Sequence, residues 1–287
     1  MAVQQERARK AAIALSPLSR SHRLVITHGS GPQVGMLAEQ SADADALSDA
    51  TLDVIDAQIA GMLGYVLMRA MGNAFGTDVV TMLTEVLVNA DDPAFGTPTK
   101  PIGPTVDAAR AALLHAQHGW AMVPRGTGYR RVVASPDPID VVELPAIRAL
   151  IEAGITPICA GGGGIPVVCR DGGLAGVEGV VDKDLVTSLV ARLVGADLLV
   201  LLTDVEGLWE NWGKPSARLV RQAPTAWARA MALESGSMAP KVQACCDFAD
   251  ATGCPAFIGS LNDAVAIISG TAGTRFDRAV TAPSFAI

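Results

Sequence analysis

The sequence predicts an α/β fold built on a mainly parallel sheet, and three features carry that prediction. Of the 287 residues, 50% are hydrophobic but only 4% are aromatic, so the core consists of Ala, Val, Leu and Ile, which suits strands covered on both faces. Leucines and valines recur every four residues over 183–194, which predicts a helix between Asp182 as its N-cap and Gly195 as its end. Residues 198–202 then form an unbroken apolar run, typical of a buried strand.

This helix and strand together are half of a βαβ unit, and they predict a site as well as a fold. The helix starts at the sheet edge where parallel strands end, and the next strand returns to that edge. Ligands of open α/β sheets bind along the same edge. We therefore expect the residues at the helix start to lie near those at the strand end, namely Asp182, Lys183 and Asp184 near Thr203 and Asp204.

The other segments alternate between helical and extended patterns. Apolar residues at helical spacing predict helices over 5–20, 34–41, 52–71, 106–117, 143–153 and 238–251. Short apolar runs predict strands over 22–27, 78–87, 155–159 and 256–258, and a hairpin that joins 167–169 to 175–178. Ser260 and Asp263 are spaced as a capping box for a last helix.

The sequence pattern changes between about residues 91 and 138, where prolines are frequent. The seven prolines are Pro93, Pro98, Pro101, Pro104, Pro124, Pro136 and Pro138. Proline interrupts regular core elements, so we expect the helix near 106–117 to be the one regular element of this segment. The segment is predicted to form a small protruding subdomain of a single domain that spans residues 1–287.

Composition limits the classes of partner. The formal net charge of −7 argues against nucleic acid, and no apolar run approaches the 18 residues of a membrane span. The five cysteines form no CxxC pair, and no histidine cluster accompanies them, so we expect reduced thiols and no protein-held metal. These features predict a soluble, cytoplasmic protein.

Three glycine-rich turns each follow a predicted strand, at 28–31, 161–164 and 259–260. Glycine lets the backbone approach a ligand and direct several N–H groups at one anion. A single such turn could be a tight connection only, but three at one sheet edge favour an anion or phosphate site. Neither GxGxxG nor GxxxxGK[ST] is present, so a Rossmann dinucleotide site and a P-loop both fit poorly.

Two lysines, Lys183 and Lys241, stand at predicted helix N-termini, whereas lysine is favoured at C-termini. They are either solvated surface residues or a clamp on a transferring phosphoryl group, and Asp184 could orient both. Asp204 ends the buried strand, where its carboxylate could accept from a ribose, hold lysines or cap the following turn. His28 is better explained as a structural histidine than as a base.

Eight segments, taken together, resemble carbamate kinases of the amino-acid kinase superfamily. They are THGSGPQVG (27–35), PTKPIGP (98–104), GYRRVVASPDP (128–138), AGGGGIPV (160–167), VVDKDL (180–185), LLTDVEG (201–207), NWGKP (211–215) and GSMAPKV (236–242). The resemblance implies a three-layer αβα sandwich and reversible phosphoryl transfer, in which ATP and carbamate give ADP and carbamoyl phosphate with Mg2+. It also implies a homodimer, which would suit the apolar helix 52–71.

The same resemblance implies a role for each matching residue. It gives the catalytic positions as Lys183, Asp184, Lys241 and Lys100, the last reaching in from the subdomain. It gives the carbamoyl-binding positions as Gly29, Ser30 and Gly31. It gives the positions that hold phosphates or line the nucleotide pocket as Gly161, Gly162, Gly163, Asp204, Trp212 and Lys214.

The chain also departs from the family pattern. Carbamate kinases begin with a strand that ends in a Gly-Gly-Asn turn, whereas this sequence starts within the first helix, so two strands are expected to lack a partner. Ser30, Ala160 and Ala239 stand where the family has asparagine, serine and glycine. Two alternatives therefore stay open: an N-terminally truncated, non-catalytic nucleotide-binding relative, and an amino-acid kinase with another small acid as acceptor.

Overall fold

The structure, a computed structural model, describes residues 2–30, 33–42, 51–233 and 238–286. Its helices are α1 Ala2–Ser19, α2 Gln33–Ala42, α3 Leu52–Gly72, α4 Ala108–His118, α5 Leu144–Glu152, α6 Lys183–Val194, α7 Thr225–Arg229, α8 Met238–Thr252 and α9 Ala264–Ile268. Its strands are β1 Val79–Thr81, β2 Glu85–Val88, β3 Lys100–Val106, β4 Ala121–Arg125, β5 Gly128–Val133, β6 Pro138–Val141, β7 Thr156–Ile158, β8 Ile165–Arg170, β9 Gly173–Gly176, β10 Leu199–Thr203, β11 Trp209–Glu210, β12 Arg218–Pro224, β13 Ala256–Ser260, β14 Thr274–Asp277 and β15 Ser284–Phe285.

The strands form mixed ladders between two helical layers. Parallel pairs join β1 to β7, β2 to β8, β10 to β13 and β12 to β14. α1 packs on α3 and α9, while α6 packs on α5 and α8, and strand β13 contacts both α8 and α9. Apolar side chains, all nearly inaccessible to water, fill the space between helices and strands, with Phe248, Ile258 and Phe276 at the centre of one cluster.

Helix α6 begins and ends as the sequence predicts. The Asp182 side chain accepts a hydrogen bond from the Asp184 N–H at 2.9 Å, which caps the first turn. Gly195 has a φ of 69°, the left-handed conformation that glycine adopts most easily, and its N–H closes the last turn. The strand that follows, β10, pairs with β13 in parallel so that Thr203 lies beside Ser260.

The predicted strand at 22–27 is reduced to a single bridge. The Ile26 N–H donates to the Pro157 carbonyl and the Ile26 carbonyl accepts from the Cys159 N–H, each at 2.9 Å. Pro157 has no N–H to donate to Leu24, so the ladder cannot extend toward the N-terminal side. Among the described strands, β10 pairs with β13 alone, at the end of its sheet.

The expectation of a single regular element between 91 and 138 is wrong. Besides α4, this segment contains a three-stranded antiparallel sheet in the order β3-β5-β4. Pro101 and Pro104 lie in β3 and Pro124 in β4, which are both edge strands, while the central strand β5 has no proline. An edge strand tolerates a missing N–H donor, so the prolines and the sheet are compatible. That the segment is a protruding subdomain stays a prediction.

Helix α3 is the one described helix long and apolar enough, by length and composition, to cross a membrane. It packs against α1, α2 and β1, and residues such as Ile55 and Ile59 on its inner side are buried. The core helix of a soluble protein passes the same test. Its exposed apolar side chains include Val54 and Tyr65.

Candidate active site

The N-terminus of α6 carries a buried carboxylate held by two lysines. One Asp184 oxygen accepts from the Lys183 Nζ at 2.7 Å and the other accepts from the Lys241 Nζ at 2.9 Å. Asp184 and Lys241 are buried, whereas the Lys183 side chain is 32% exposed. Asp184 therefore contacts both lysines, as the sequence suggested it could, and Lys183 is the more exposed of the two; their catalytic roles stay predictions.

Helix α8 brings Lys241 to this carboxylate from a distance of 57 residues along the chain. α8 packs along α6, and both helices cover β10. Two buried charges so close together stabilise one another where water cannot screen them, while each alone would be costly to bury. The arrangement fixes the position of the Lys241 ammonium.

The turn at Gly29 and Ser30 lies directly against this cluster. A Cβ atom on Gly29 would lie 3.2 Å from the methylene carbons of Lys183, so the lysine passes over the glycine backbone. Ser30 is buried, and its Cβ atom would lie 3.3 Å from a Cβ on Gly162. Gly31, the third predicted member of this turn, lies outside the described residues.

The glycine turn at 161–163 closes the other side of the site. A Cβ on Gly161 would lie 2.5 Å from the His28 ring and one on Gly163 would lie 2.2 Å from the Val181 carbonyl, so only glycine fits at either position. Gly162 and Gly163 also have φ angles of 76° and 114°. Their N–H groups donate to the carbonyls of His28 and Ala160. The turn therefore lets α6 and the Gly29 turn approach each other closely.

Lys100 reaches the site from β3. Its Nζ donates to Asp182 at 2.9 Å, across 82 residues of sequence, while the other oxygen of Asp182 caps α6. Burial alone would raise the pKa of Asp182, but the charge and hydrogen bond of Lys100, together with backbone N–H groups at the start of α6, outweigh it and hold that pKa below its usual value. The sequence predicts Asp182 as the N-cap of α6 at the ligand-binding edge of the sheet; its ion pair with Lys100 joins elements too distant for any local pattern to reveal.

His28 behaves as a structural residue. Burial lowers the pKa of its imidazole, and the charge of Lys183 lowers it further, against the opposing effect of the Gly29 carbonyl. Its own carbonyl accepts from the Gly162 N–H at 2.8 Å, which ties the two turns together. A neutral ring that packs against Gly161 fits the sequence interpretation.

Asp56 is a buried carboxyl of this region that sequence reasoning missed. It lies on α3, and its residue is only 3% exposed. Neither of its side-chain oxygens has a hydrogen-bond partner in the described structure. Burial raises the pKa of Asp56 well above its usual value, and the nearby Lys100 opposes that shift. Asp56 is a polar residue on a largely apolar helix, and the sequence does not show that other parts of the protein bury this side of the helix.

The residues predicted to contact the nucleotide lie on the surface. Asp204 is exposed just after β10, and Trp212 and Lys214 are exposed in the connection between β11 and β12. Trp212 is 66% exposed and meets the Trp209 ring edge-on, with centroids 5.7 Å apart. An exposed indole beside a strand end can stack on a flat base. Their role in nucleotide binding, and the predicted proximity of Asp204 to the α6 start, stay predictions.

Among the described residues, no group of three or more His, Cys, Asp or Glu side chains could hold a metal ion. The two carboxylates nearest the lysines, Asp182 and Asp184, are already occupied by ammonium groups. A site of this kind, rich in cations and in glycine backbone, suits an anionic substrate that carries phosphate.

This fold and site define an amino acid kinase: the chain belongs to the amino acid kinase family, which matches residues 1–260. Within that family it belongs with the carbamate kinases. It is 43% identical to the carbamate kinase of Rhizobium meliloti over 95% of this chain and 86% of that protein. It is 42% identical to the Haemophilus influenzae enzyme over 96% of this chain and 90% of that protein.

Solved structures support the same assignment. A carbamate kinase from Giardia lamblia bound to citric acid superposes with a TM-score of 0.89 at 34% identity, over 96% of this chain and 92% of that one. The same enzyme bound to AMP-PNP gives a TM-score of 0.85 at 35% identity, over 95% of this chain and 90% of that one. The α/β fold class and the family resemblance predicted from the sequence are confirmed.

Proposed function

We propose that this chain catalyses reversible phosphoryl transfer between ATP and carbamate, giving ADP and carbamoyl phosphate. The observation that carries the proposal is Asp184 holding Lys183 and Lys241 beside two glycine turns. The carbamate kinases of Rhizobium meliloti and Haemophilus influenzae support the choice of substrate.

In the direction that makes ATP, a β-phosphate oxygen of ADP attacks the phosphorus of carbamoyl phosphate. The bond between phosphorus and the carbamoyl oxygen breaks, and carbamate leaves with the electron pair. No proton moves in this step, so no general base is required, and catalysis consists of positioning and charge stabilisation. That requirement matches a site whose reactive groups are ammonium ions.

Each lysine has a distinct part in this proposal. Lys241, fixed by Asp184, stabilises the negative charge that spreads over the transferring phosphoryl oxygens. Lys183 is partly exposed and contacts the same group from the side of Gly29. Lys100 leaves Asp182 to contact the phosphoryl or carbamoyl group when substrate binds.

The glycine turns supply shape around these charges. Gly29, Ser30 and Gly31 would hold the small carbamoyl group, and Gly161, Gly162 and Gly163 would let phosphates approach the backbone. The N–H groups of Gly162 and Gly163 already donate to carbonyls of the protein. Lys183 and the positive N-terminal end of α6 would therefore balance the negative charge of the phosphates.

The nucleotide would lie toward the ends of β10 and β11. Asp204 would accept from the ribose, Trp212 would stack on the base, and Lys214 would line the pocket. Mg2+ would enter as part of the nucleotide substrate, held by phosphate oxygens and water, since such ions keep much of their hydration. We further propose a homodimer through the exposed apolar side of α3 and a cytoplasmic location.

The test is ATP formation from ADP, Mg2+ and carbamoyl phosphate, measured with the unchanged chain and with Lys241→Ala. We expect turnover in the first and a loss of about a thousandfold or more in the second, because the variant removes a charge fixed at the transferring group. Lys10→Ala, at an exposed position on α1, is the matched control and should keep full activity.

Retained activity in Lys241→Ala would remove this lysine from the mechanism. An inactive unchanged chain that still binds ADP would instead favour the non-catalytic alternative. Turnover with another acyl phosphate but not with carbamoyl phosphate would favour a kinase with a different small acid as acceptor.

A further inference from the structure

The carboxyl group of Asp56 is buried without a hydrogen-bond partner among the described residues. Its two oxygens and the Ser188 hydroxyl are the buried side-chain polar atoms without a hydrogen bond in the described part of the chain. Burying a polar group without a partner costs free energy. A carboxyl kept in that condition beside a catalytic site is a candidate for a contact made only with substrate.

The surroundings of Asp56 place it at the wall of the proposed site. Ala60, one helical turn further along the same side of α3, lies with its methyl 3.2 Å from the position of a Cβ on Gly161. The positive charge that acts on Asp56 is that of Lys100, and the negative charges are those of Asp53 and Glu178. Asp56 is therefore one helical turn from a residue that contacts the glycine turn, and the charge of Lys100 acts on it.

The site is rich in donors and short of acceptors. The ammonium groups of Lys100, Lys183 and Lys241 suit the phosphoryl and carboxyl oxygens of the substrate. Carbamate and carbamoyl phosphate differ from other acyl groups in an NH2 group, which needs acceptors when it is buried. Asp182 and Asp184 are already engaged by lysines, whereas Asp56 is not engaged among the described residues.

We propose that Asp56 determines specificity for the carbamoyl group by accepting a hydrogen bond from its NH2. The inference rests on the proposed function and adds the part of the substrate that Asp56 recognises. Its oxygens are shielded from water in the structure, so this contact requires the side chains around Asp56 to move when substrate binds. A site that bonds an N–H discriminates strongly against an analogue that lacks it, because the acceptor is then left unpaired.

The raised pKa of Asp56 agrees with this role. Burial is its main cause, with the carboxylates of Asp53 and Glu178 adding to it and Lys100 opposing it. A neutral carboxyl still accepts through its carbonyl oxygen. It also avoids the repulsion that a second anion would exert on the phosphoryl group.

The experiment compares two phosphoryl donors, carbamoyl phosphate and acetyl phosphate, which carry NH2 and CH3 at the same position. The measured quantity is the ratio of their kcat/KM values for ATP formation. Asp56→Val should lower this preference for carbamoyl phosphate by about tenfold or more, since it removes the acceptor and leaves the volume apolar. Asp56→Asn keeps a carbonyl oxygen and should retain most of the preference.

Two controls separate recognition from a general effect of burial. Ser188→Ala removes the other buried unpaired group, on α6, and Asp53→Asn removes a charge one turn earlier on α3. Both should leave the preference unchanged. Thermal unfolding identifies folded variants, and Asp56→Ala, which adds no bulk, takes the place of Asp56→Val if the latter does not fold.

An unchanged preference in a folded Asp56→Val or Asp56→Ala variant would overturn the specificity role. If the unchanged chain makes no ATP from carbamoyl phosphate, the proposed function fails first, and the recognition of NH2 fails with it. Activity with an unaltered preference in the variants leaves the proposed function intact and removes only this inference. The two failures are thus distinguishable.

Discussion

Two aspartates of this site, Asp184 on α6 and Asp56 on α3, are almost equally buried, at 4% and 3% exposure, yet they have opposite surroundings. Each oxygen of Asp184 accepts from a lysine, whereas neither oxygen of Asp56 has a partner among the described residues. Asp184 contacts two ammonium groups directly, whereas Asp56 has only the charge of the nearby Lys100 to oppose the effect of its burial. The comparison shows that burial alone does not decide what a carboxyl does.

The difference also separates two kinds of function. A paired carboxylate fixes the positions of its cations and is part of the folded framework. An unpaired carboxyl leaves its hydrogen-bonding capacity for a ligand, at a cost to the free energy of folding. The free energies of unfolding of variants at these aspartates test this division.

The largest effect is expected for Asp184→Asn. This change leaves the buried Lys241 without the carboxylate that it contacts, and the removal of one partner from a buried pair destabilises by about 3–5 kcal/mol. Urea unfolding at neutral pH gives the free energy. Asp56→Asn, the matched substitution, should instead be neutral or stabilising, because it breaks no bond in the described structure.

A double variant checks the cause of the first effect. Replacing Lys241 by Met in the Asp184→Asn background removes the buried ammonium that has lost this carboxylate and should recover part of the lost stability. Equal free energies of unfolding for Asp184→Asn and the unchanged chain would show that the pair contributes nothing to stability. The contrast between the two aspartates would then not hold.

The intermediate effect is the pH dependence caused by Asp56. The pKa of this carboxyl is raised in the folded chain above its ordinary value of 3.8, so between those two values the folded state binds more protons than the unfolded state. The free energy of unfolding attributable to this group therefore falls as pH rises, by up to about 1.4 kcal/mol per pH unit. Asp56→Asn should remove that decline.

Urea unfolding at a series of pH values above 4 measures this decline, with the unchanged chain and the variant side by side. Other groups titrate equally in both proteins, so the difference between the two curves isolates Asp56. Parallel curves would show that Asp56 binds a proton equally well in the folded and the unfolded chain. That result would argue against a neutral Asp56 carboxyl in the folded chain.

The sequence revealed one of these aspartates and not the other, for a physical reason. Asp184 lies in the first turn of a helix that its periodicity and its Asp182 cap identify, and Lys183 is its neighbour. The contacts of Lys100 with Asp182 and of Lys241 with Asp184 join residues 82 and 57 positions apart. The positions of Lys183 and Lys241 at helix N-termini suggest a clamp oriented by Asp184, but only the family resemblance adds Lys100 to the site.

The same limit explains the errors in the fold. Periodicity located the helices well, because each depends on its own apolar stripe. The prolines of β3 and β4 predict interrupted structure, because a sequence does not show which strands will be edges. The sequence around Asp56 likewise gives no sign that this residue is buried, or that the charges of Lys100 and Glu178, far along the chain, act on it.

The smallest effect is expected for Asp182, which stands between the two extremes because it has one lysine partner and is about one-fifth exposed. Burial alone would raise its pKa, but Lys100 and the backbone N–H groups of α6 outweigh that and lower it below its ordinary value of 3.8. The unfolded state therefore binds more protons between those values, and stability rises with pH there, opposite in sign to Asp56.

Asp182→Asn keeps a good N-cap but loses the ion pair with Lys100. We expect a loss of about 1 kcal/mol at neutral pH, which disappears as pH falls below about 4 and Asp182 becomes protonated in the unchanged chain. Unfolding free energies measured from pH 2 to 7 follow this convergence. A constant difference across the range would mean that the variant acts through the N-cap and not through the charge of Asp182. The contribution of Asp182 to stability would then come from capping α6 and not from its ion pair with Lys100.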